Sequence, residues 1–435
     1  MTKRMLLAGL LLIVFALPAG CQKQGGEPTQ PTAPAPTILP TPTPEPPPTP
    51  TPDPVGEALA GMTVEQKAAQ LLVAGIEGTE PGEDAVQAIQ GYQVGGVILF
   101  GRNVESAEQL AALTNGLKEL NGDYTPLFLC VDQEGGRVDR MPPEVTDLPS
   151  ALDFGSIADP EARMDACFTL GQTLAAQCAA FGFNMDFAPS LDIWSNPENT
   201  VIGDRAFGTD AATVTGAANE TALGILSGGV IPVAKHFPGH GDTAVDSHYG
   251  LPVVDKSLEE LEELELRPFR QAIDTTCVYG TYGGDTSIPA IMVAHILLSQ
   301  IDPDNPASLS PEVVTGLLRE EMGYEGVVCT DDLTMGAISN TYGMGEAAVL
   351  AVEAGCDLLL VCHGADNLAE AHAALVEAVD SGRIPEERLD ESVRRILALK
   401  GAYGLINAPV EAPDIEALND RIAALERSIE ADTSQ

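Results

Sequence analysis

The chain reads as an α/β protein whose single large domain is a (β/α)8 barrel of the TIM type. Three observations predict it. Over residues 55–404, short apolar runs alternate with longer amphipathic stretches, and such alternation implies a parallel sheet covered by helices. Eight runs over this length favour a closed barrel over an open, doubly wound sheet. No Gly-x-Gly-x-x-Gly follows the first run, which argues against a dinucleotide fold.

The elements follow in order. Thr63 and Gln66, three residues apart, form a capping box that starts the first helix. Strands are predicted at residues 70–76, 94–100, 126–132, 184–193, 230–236, 290–296, 326–332 and 357–362. Helices are predicted at 106–120, 160–180, 211–226, 258–273 and 311–322. The barrel therefore occupies residues 55–405. Residues 406–435 form a tail with one more helical run at 415–429, too short for a second domain and expected to pack on the barrel or fray from it.

Before the barrel the composition changes twice. Residues 1–20 have the form of a signal peptide: Lys3 and Arg4 are followed by an apolar stretch from Met5 to Leu17, too short to span a bilayer comfortably. Pro18-Ala19-Gly20-Cys21 resembles the lipobox of bacterial lipoproteins, with Pro18 where that motif prefers leucine. The resemblance implies lipidation of Cys21 and an extracytoplasmic enzyme anchored to the cell membrane only through its N-terminal lipid. Residues 21–54 then turn to Pro and Thr, a semi-rigid polyproline stalk about 100 Å long at about 3.1 Å per residue.

The formal charge of −42 repels phosphate backbones and excludes nucleic acid as a natural partner. Seven cysteines remain besides Cys21, in or beside apolar runs and without Cys-x-x-Cys spacing, so most are expected to be buried free thiols.

Chemistry gathers at the C-terminal ends of the predicted strands, where a barrel keeps its active site. The third ends in Asp132, followed by Glu134, Arg137 and Arg140. The fourth leads through Asp186 and Asp192 to Asp204-Arg205. The fifth ends in Lys235-His236, continued by His240, Asp246 and His248, so half of the six histidines lie within fourteen residues. The sixth ends in His295 and the seventh in Asp331-Asp332. Carboxylates, arginines, a lysine and histidines around a small pocket suit a sugar ring, whose hydroxyls need donors and acceptors and whose anomeric carbon needs a carboxylate. Asp331 or Asp332 can supply that carboxylate. A histidine tuned by a nearby aspartate can serve as proton donor. By chemistry alone His236, His240 and His248 rank almost equally.

Four ordered motifs narrow the choice. Lys235-His236-Phe237-Pro238-Gly239-His240-Gly241-Asp242 with Asp246-Ser247-His248, together with residues 132–140, 203–208 and 330–335, resembles the β-N-acetylhexosaminidase branch of glycoside hydrolase family 3 over essentially the whole barrel. The resemblance implies a retaining, exo-acting β-N-acetylglucosaminidase acting on cell-wall muropeptides or related oligosaccharides. It implies Asp331 as nucleophile, His248 as general acid/base and Asp246 as the residue that orients it. Residues matching Asp132, Arg140, Arg205, Lys235 and His236 bind the sugar, and neither metal nor cofactor is implied.

Competing readings remain for individual residues. Asp332 is expected to be structural and His240 to support its turn. Glu134 and Arg137 are expected to brace the third-strand loop, as an ion pair. His295 and Trp194 fit the core as well as the pocket. A zinc hydrolase using His236, His240 and His248 is disfavoured because Phe237-Pro238-Gly239 interrupts any helix that would align the His-x3-His pair. A non-catalytic sugar-binding protein would lack a nucleophile or acid/base, and phosphorolysis at the same site is open to a histidine acid/base.

Overall fold

The computed structural model describes residues 53–244, 246–274 and 287–433. The signal segment, Cys21, most of the stalk and Cys277 lie outside the described residues. Ten strands occur among those described: β1 Leu72–Gly75, β2 Gly96–Leu99, β3 Phe128–Val131, β4 Met185–Asp186, β5 Ile231–Phe237, β6 Val253–Val254, β7 Ala290–Val293, β8 Leu297–Leu298, β9 Val327–Asp332 and β10 Leu358–Val361. Eight of them close a parallel barrel in the order β1-β10-β9-β7-β5-β4-β3-β2. Closure is made by β1, which pairs Leu72 with Leu359 on one side and Val73 with Gly96 on the other. Both faces of these strands are buried, which is why they read as continuous apolar runs and not as alternating ones.

Each predicted strand overlaps one barrel strand, with β5 running one residue past its predicted end to Phe237, but three local expectations change. The fourth is regular only over two residues, because Pro189 has no N–H for the ladder; it continues irregularly, with Leu191 N donating to Lys235 O at 2.5 Å. The helix expected over 258–273 divides into Leu258–Glu263 and Arg267–Ile273, with Pro268 in the first turn of the second, the one place a helix accepts proline. The run at 311–322 is a π-helix, Glu312–Glu321, closed at its end by Met322 N donating to Leu317 O. The capping box at Thr63 and Gln66 forms as expected. The last helix, Ile415–Thr433, packs on Pro160–Ala180, with Leu418, Ile422 and Leu425 buried.

The two ends of the barrel differ in kind. At the N-terminal end, buried charges serve structure. Asp357 is surrounded by Arg319, Arg388 and Arg395, and Lys400 donates to Gln70 Oε1 and Gly95 O. The remaining pair, β6 and β8, forms a small parallel ribbon between the loops that follow β5 and β7. Cys130, Cys167, Cys178, Cys329, Cys356 and Cys362 are buried free thiols. Among the described residues no helix is long and apolar enough to cross a membrane.

Candidate active site

The C-terminal ends of the strands surround a cavity of about 250 Å³. Asp132, Arg140, Arg205, Lys235, His236, His248 and Asp331, seven of the residues singled out from sequence, all line it. Asp246 stands behind His248: the His248 Nδ1–H donates to Asp246 Oδ1 at 2.7 Å, which leaves Nε2 as the nitrogen that can exchange a proton. That loop is open to solvent, with the His248 side chain 64% exposed.

The loop after β3 is built on two glycines. Gly135 and Gly136 have φ of 83° and 55°, which side-chain-bearing residues rarely adopt, and the turn they make aims Glu134 inward. Gln133 secures the turn from beneath. Its N–H donates to Asp186 Oδ1, its side chain donates to Asp139 and Gln177, and its Oε1 accepts from Arg140 N.

Glu134 turns out to be the centre of the charged network. Arg205 grips it with Nε at 2.9 Å and Nη2 at 2.8 Å, and Lys235 Nζ lies 2.7 Å away. Lys235 also donates to Asp132 Oδ1 at 2.6 Å. Burial alone would raise the Glu134 pKa, but the two cations overrule it and hold the carboxyl well below the usual range. The same carboxylates raise Lys235 and Arg205 against their own burial, so both stay charged. The expected Glu134–Arg137 pair does not form. Arg137 instead bonds Asp204 and the carbonyls of Thr200, Val201 and Ile202 on the outer loop, because the glycine turn sends the two side chains apart.

Asp192 organises the histidines. Its carboxylate accepts from His236 Nδ1 at 2.6 Å and from His240 N at 2.6 Å, which bring it down to about 2 despite burial. His236 Nε2 lies 3.4 Å from Arg205 Nη2. The His240 ring contacts Thr243 Oγ1 at 2.8 Å and Ser247 Oγ at 3.3 Å, and burial together with His236 pushes it down to about 4. His240 is therefore neutral near pH 7 and supports the turn. Among the described residues no group of three His, Cys, Asp or Glu is arranged to hold a metal ion.

Asp331, at the end of β9, accepts from Asp332 N at 2.8 Å. Burial would raise its pKa, but His295, His236 and Lys235 outweigh that and lower it, leaving an ionised carboxylate at the cavity. Asp332 is structural: it accepts from Thr334 N and Oγ1 and from Cys362 N. His295 is a satisfied core histidine, with Nδ1 at Ser308 Oγ and Nε2 at the Asp332 carbonyl. Trp194 is absent from the cavity wall. His363 and Phe100, not singled out from sequence, line it and stack with centroids 5.8 Å apart. The available signal was position, since His363 immediately follows the last predicted strand.

The chain as a whole is similar to known proteins. The model of the glycosyl hydrolase family 3 N terminal domain matches residues 63–399. The beta-hexosaminidase of Nitrosomonas eutropha is 36% identical over 331 residues, covering 75% of this chain and 91% of that protein. A glycoside hydrolase family 3 beta-N-acetylglucosaminidase from Paenibacillus sp. str. FPU-7 superposes with a TM-score of 0.77 at 41% identity, over 85% of this chain and 69% of that one. A beta-N-acetylhexosaminidase from Beutenbergia cavernae gives 0.69 at 32% identity, over 79% and 99%.

Proposed function

This chain belongs to glycosyl hydrolase family 3 and is a glycoside hydrolase, and from that premise we propose that it is a retaining, exo-acting β-N-acetylglucosaminidase. The observation that carries the reading is the convergence of an ionised Asp331 and the His248–Asp246 pair on one small cavity. A cavity of this volume suits one sugar ring and not an extended chain, hence removal of terminal residues. Its hydroxyl partners are Asp132, Arg140, Arg205, Lys235 and His236.

In the first step the Asp331 carboxylate attacks the anomeric carbon while His248 Nε2 gives its proton to the departing glycosidic oxygen. In the second, Nε2 takes a proton from water, whose oxygen displaces Asp331 from the sugar. Asp246 stabilises the imidazolium before the first step and after the second. A histidine here replaces the second carboxylate of the usual glycosidase pair.

The substrates we propose are muropeptides or related N-acetylglucosamine-terminated oligosaccharides, met outside the cytoplasm by a lipoprotein anchored through Cys21. Paired aryl β-N-acetylglucosaminide and β-glucoside kinetics test the specificity: a preference for the acetamido sugar is expected, and equal kcat/KM values would defeat it. Activity retained by Asp331→Asn would defeat the mechanism. Incorporation of labelled fatty acid, lost in Cys21→Ser, tests the anchor.

A further inference from the structure

His248 itself is 64% exposed, and in its loop the buried side chain is that of Ser247, against the His240 ring, so the place of the imidazole over the cavity is also set through the loop backbone. Three consecutive carbonyls of that loop are bound by one short segment. Ala337 N donates to Ser247 O at 3.0 Å, Gly336 N to His248 O at 3.3 Å, and Asn340 Nδ2 to Tyr249 O at 3.2 Å. The segment begins only five residues after Asp331, and the residues between are pinned: Leu333 N donates to Leu360 O and Met335 N to Asp332 O. At Gly336 the fit leaves no room, since a Cβ there would lie 2.6 Å from His248 O. The φ of Gly336 is outside the left-handed region, so close approach and not backbone conformation explains the glycine.

We infer that Gly336 and Asn340 are positioning residues that fix His248 relative to Asp331, acting through the backbone of residues 247–249. The inference rests on the proposed roles of Asp331 and His248. Both halves of the site then hang from one rigid stretch of chain after β9, and loosening that clasp impairs proton delivery more than nucleophilic attack.

The test compares kcat/KM for a phenyl and a 2,4-dinitrophenyl β-N-acetylglucosaminide. This parameter covers steps up to the glycosyl-enzyme, and only the phenyl leaving group needs a proton. Asn340 is exposed, so Asn340→Ala and Asn340→Asp are expected to fold, and neither can donate to Tyr249 O. In each, the phenyl-to-dinitrophenyl ratio is expected to fall roughly fivefold, the equivalent of one lost hydrogen bond. Gly336→Ala is expected to lower it further. His248→Ala is measured alongside. If its ratio collapses while the Asn340 variants keep the wild-type ratio, or lose both rates equally, the positioning role is overturned. If the His248→Ala ratio is itself unchanged, the acid/base assignment falls and the inference falls with it.

Discussion

Replacing Glu134 by glutamine tests whether the cationic side of the site is held as one buried network. The carboxylate is 5% exposed and takes three charged donors, two from Arg205 and one from Lys235. Glutamine keeps the shape but removes the carboxylate that Arg205 and Lys235 share. Breaking a buried ion pair from one side costs about 3–5 kcal/mol. The lower end applies here, because Lys235 keeps Asp132 at 2.6 Å. In a chain of this size about 3 kcal/mol lowers Tm by on the order of 5 °C. Misplacing a charged hydrogen-bond donor at the sugar costs about 1.5–3 kcal/mol more in kcat/KM, or about 10- to 100-fold. Thermal denaturation and aryl-glycoside kinetics read the two effects separately. Arg394→Ala is the control, since its pair with Asp53 is at least half exposed on both sides and is screened by solvent. If Glu134→Gln matches the control in Tm and the wild type in kcat/KM, the network does not hold the site and the reasoning fails.

Two further predictions concern pH. Asp331 and Asp246 are both held below the ordinary aspartate value of 3.8, so protonation removes the nucleophile only below that pH. The kcat/KM of dilute enzyme is expected to lack an acid limb above about pH 4, and a carboxylate limb at pH 5–6 with the fold intact by circular dichroism would contradict the assignment. At the other end of the barrel, burial pushes Lys400 from 10.5 down to about 7. Between those values the folded state has shed a proton that the unfolded chain keeps, so the Lys400 contribution to stability rises with pH, by about 2–3 kcal/mol from pH 7 to pH 9. Lys400→Met is expected to remove that rise from denaturant-derived stability, and parallel wild-type and variant curves would contradict it.

How far the sequence could be read depended on the range of the interaction. Barrel strands such as 94–100 and 126–132 were legible because burial on both faces leaves a nearly continuous apolar run. Asp331, His248 and Lys235 were legible because they end or follow such runs within distinctive motifs. The partner of Glu134 was not. Arg205 lies 71 residues away in sequence, and no spacing rule distinguishes it from nearby Arg137. Likewise the Asp192 clasp on His236 and His240 joins the ends of β4 and β5, 44 and 48 residues apart in sequence, which only strand pairing brings together. The β6–β8 ribbon left no trace, because two-residue strands have no periodicity to detect.

The anomer first released from an aryl β-N-acetylglucosaminide, followed by NMR before mutarotation, tests the central claim most directly. Double displacement through Asp331 predicts that β-N-acetylglucosamine appears first and the α anomer grows in later. Initial release of the α anomer would mean direct attack by water and would contradict a covalent intermediate on Asp331.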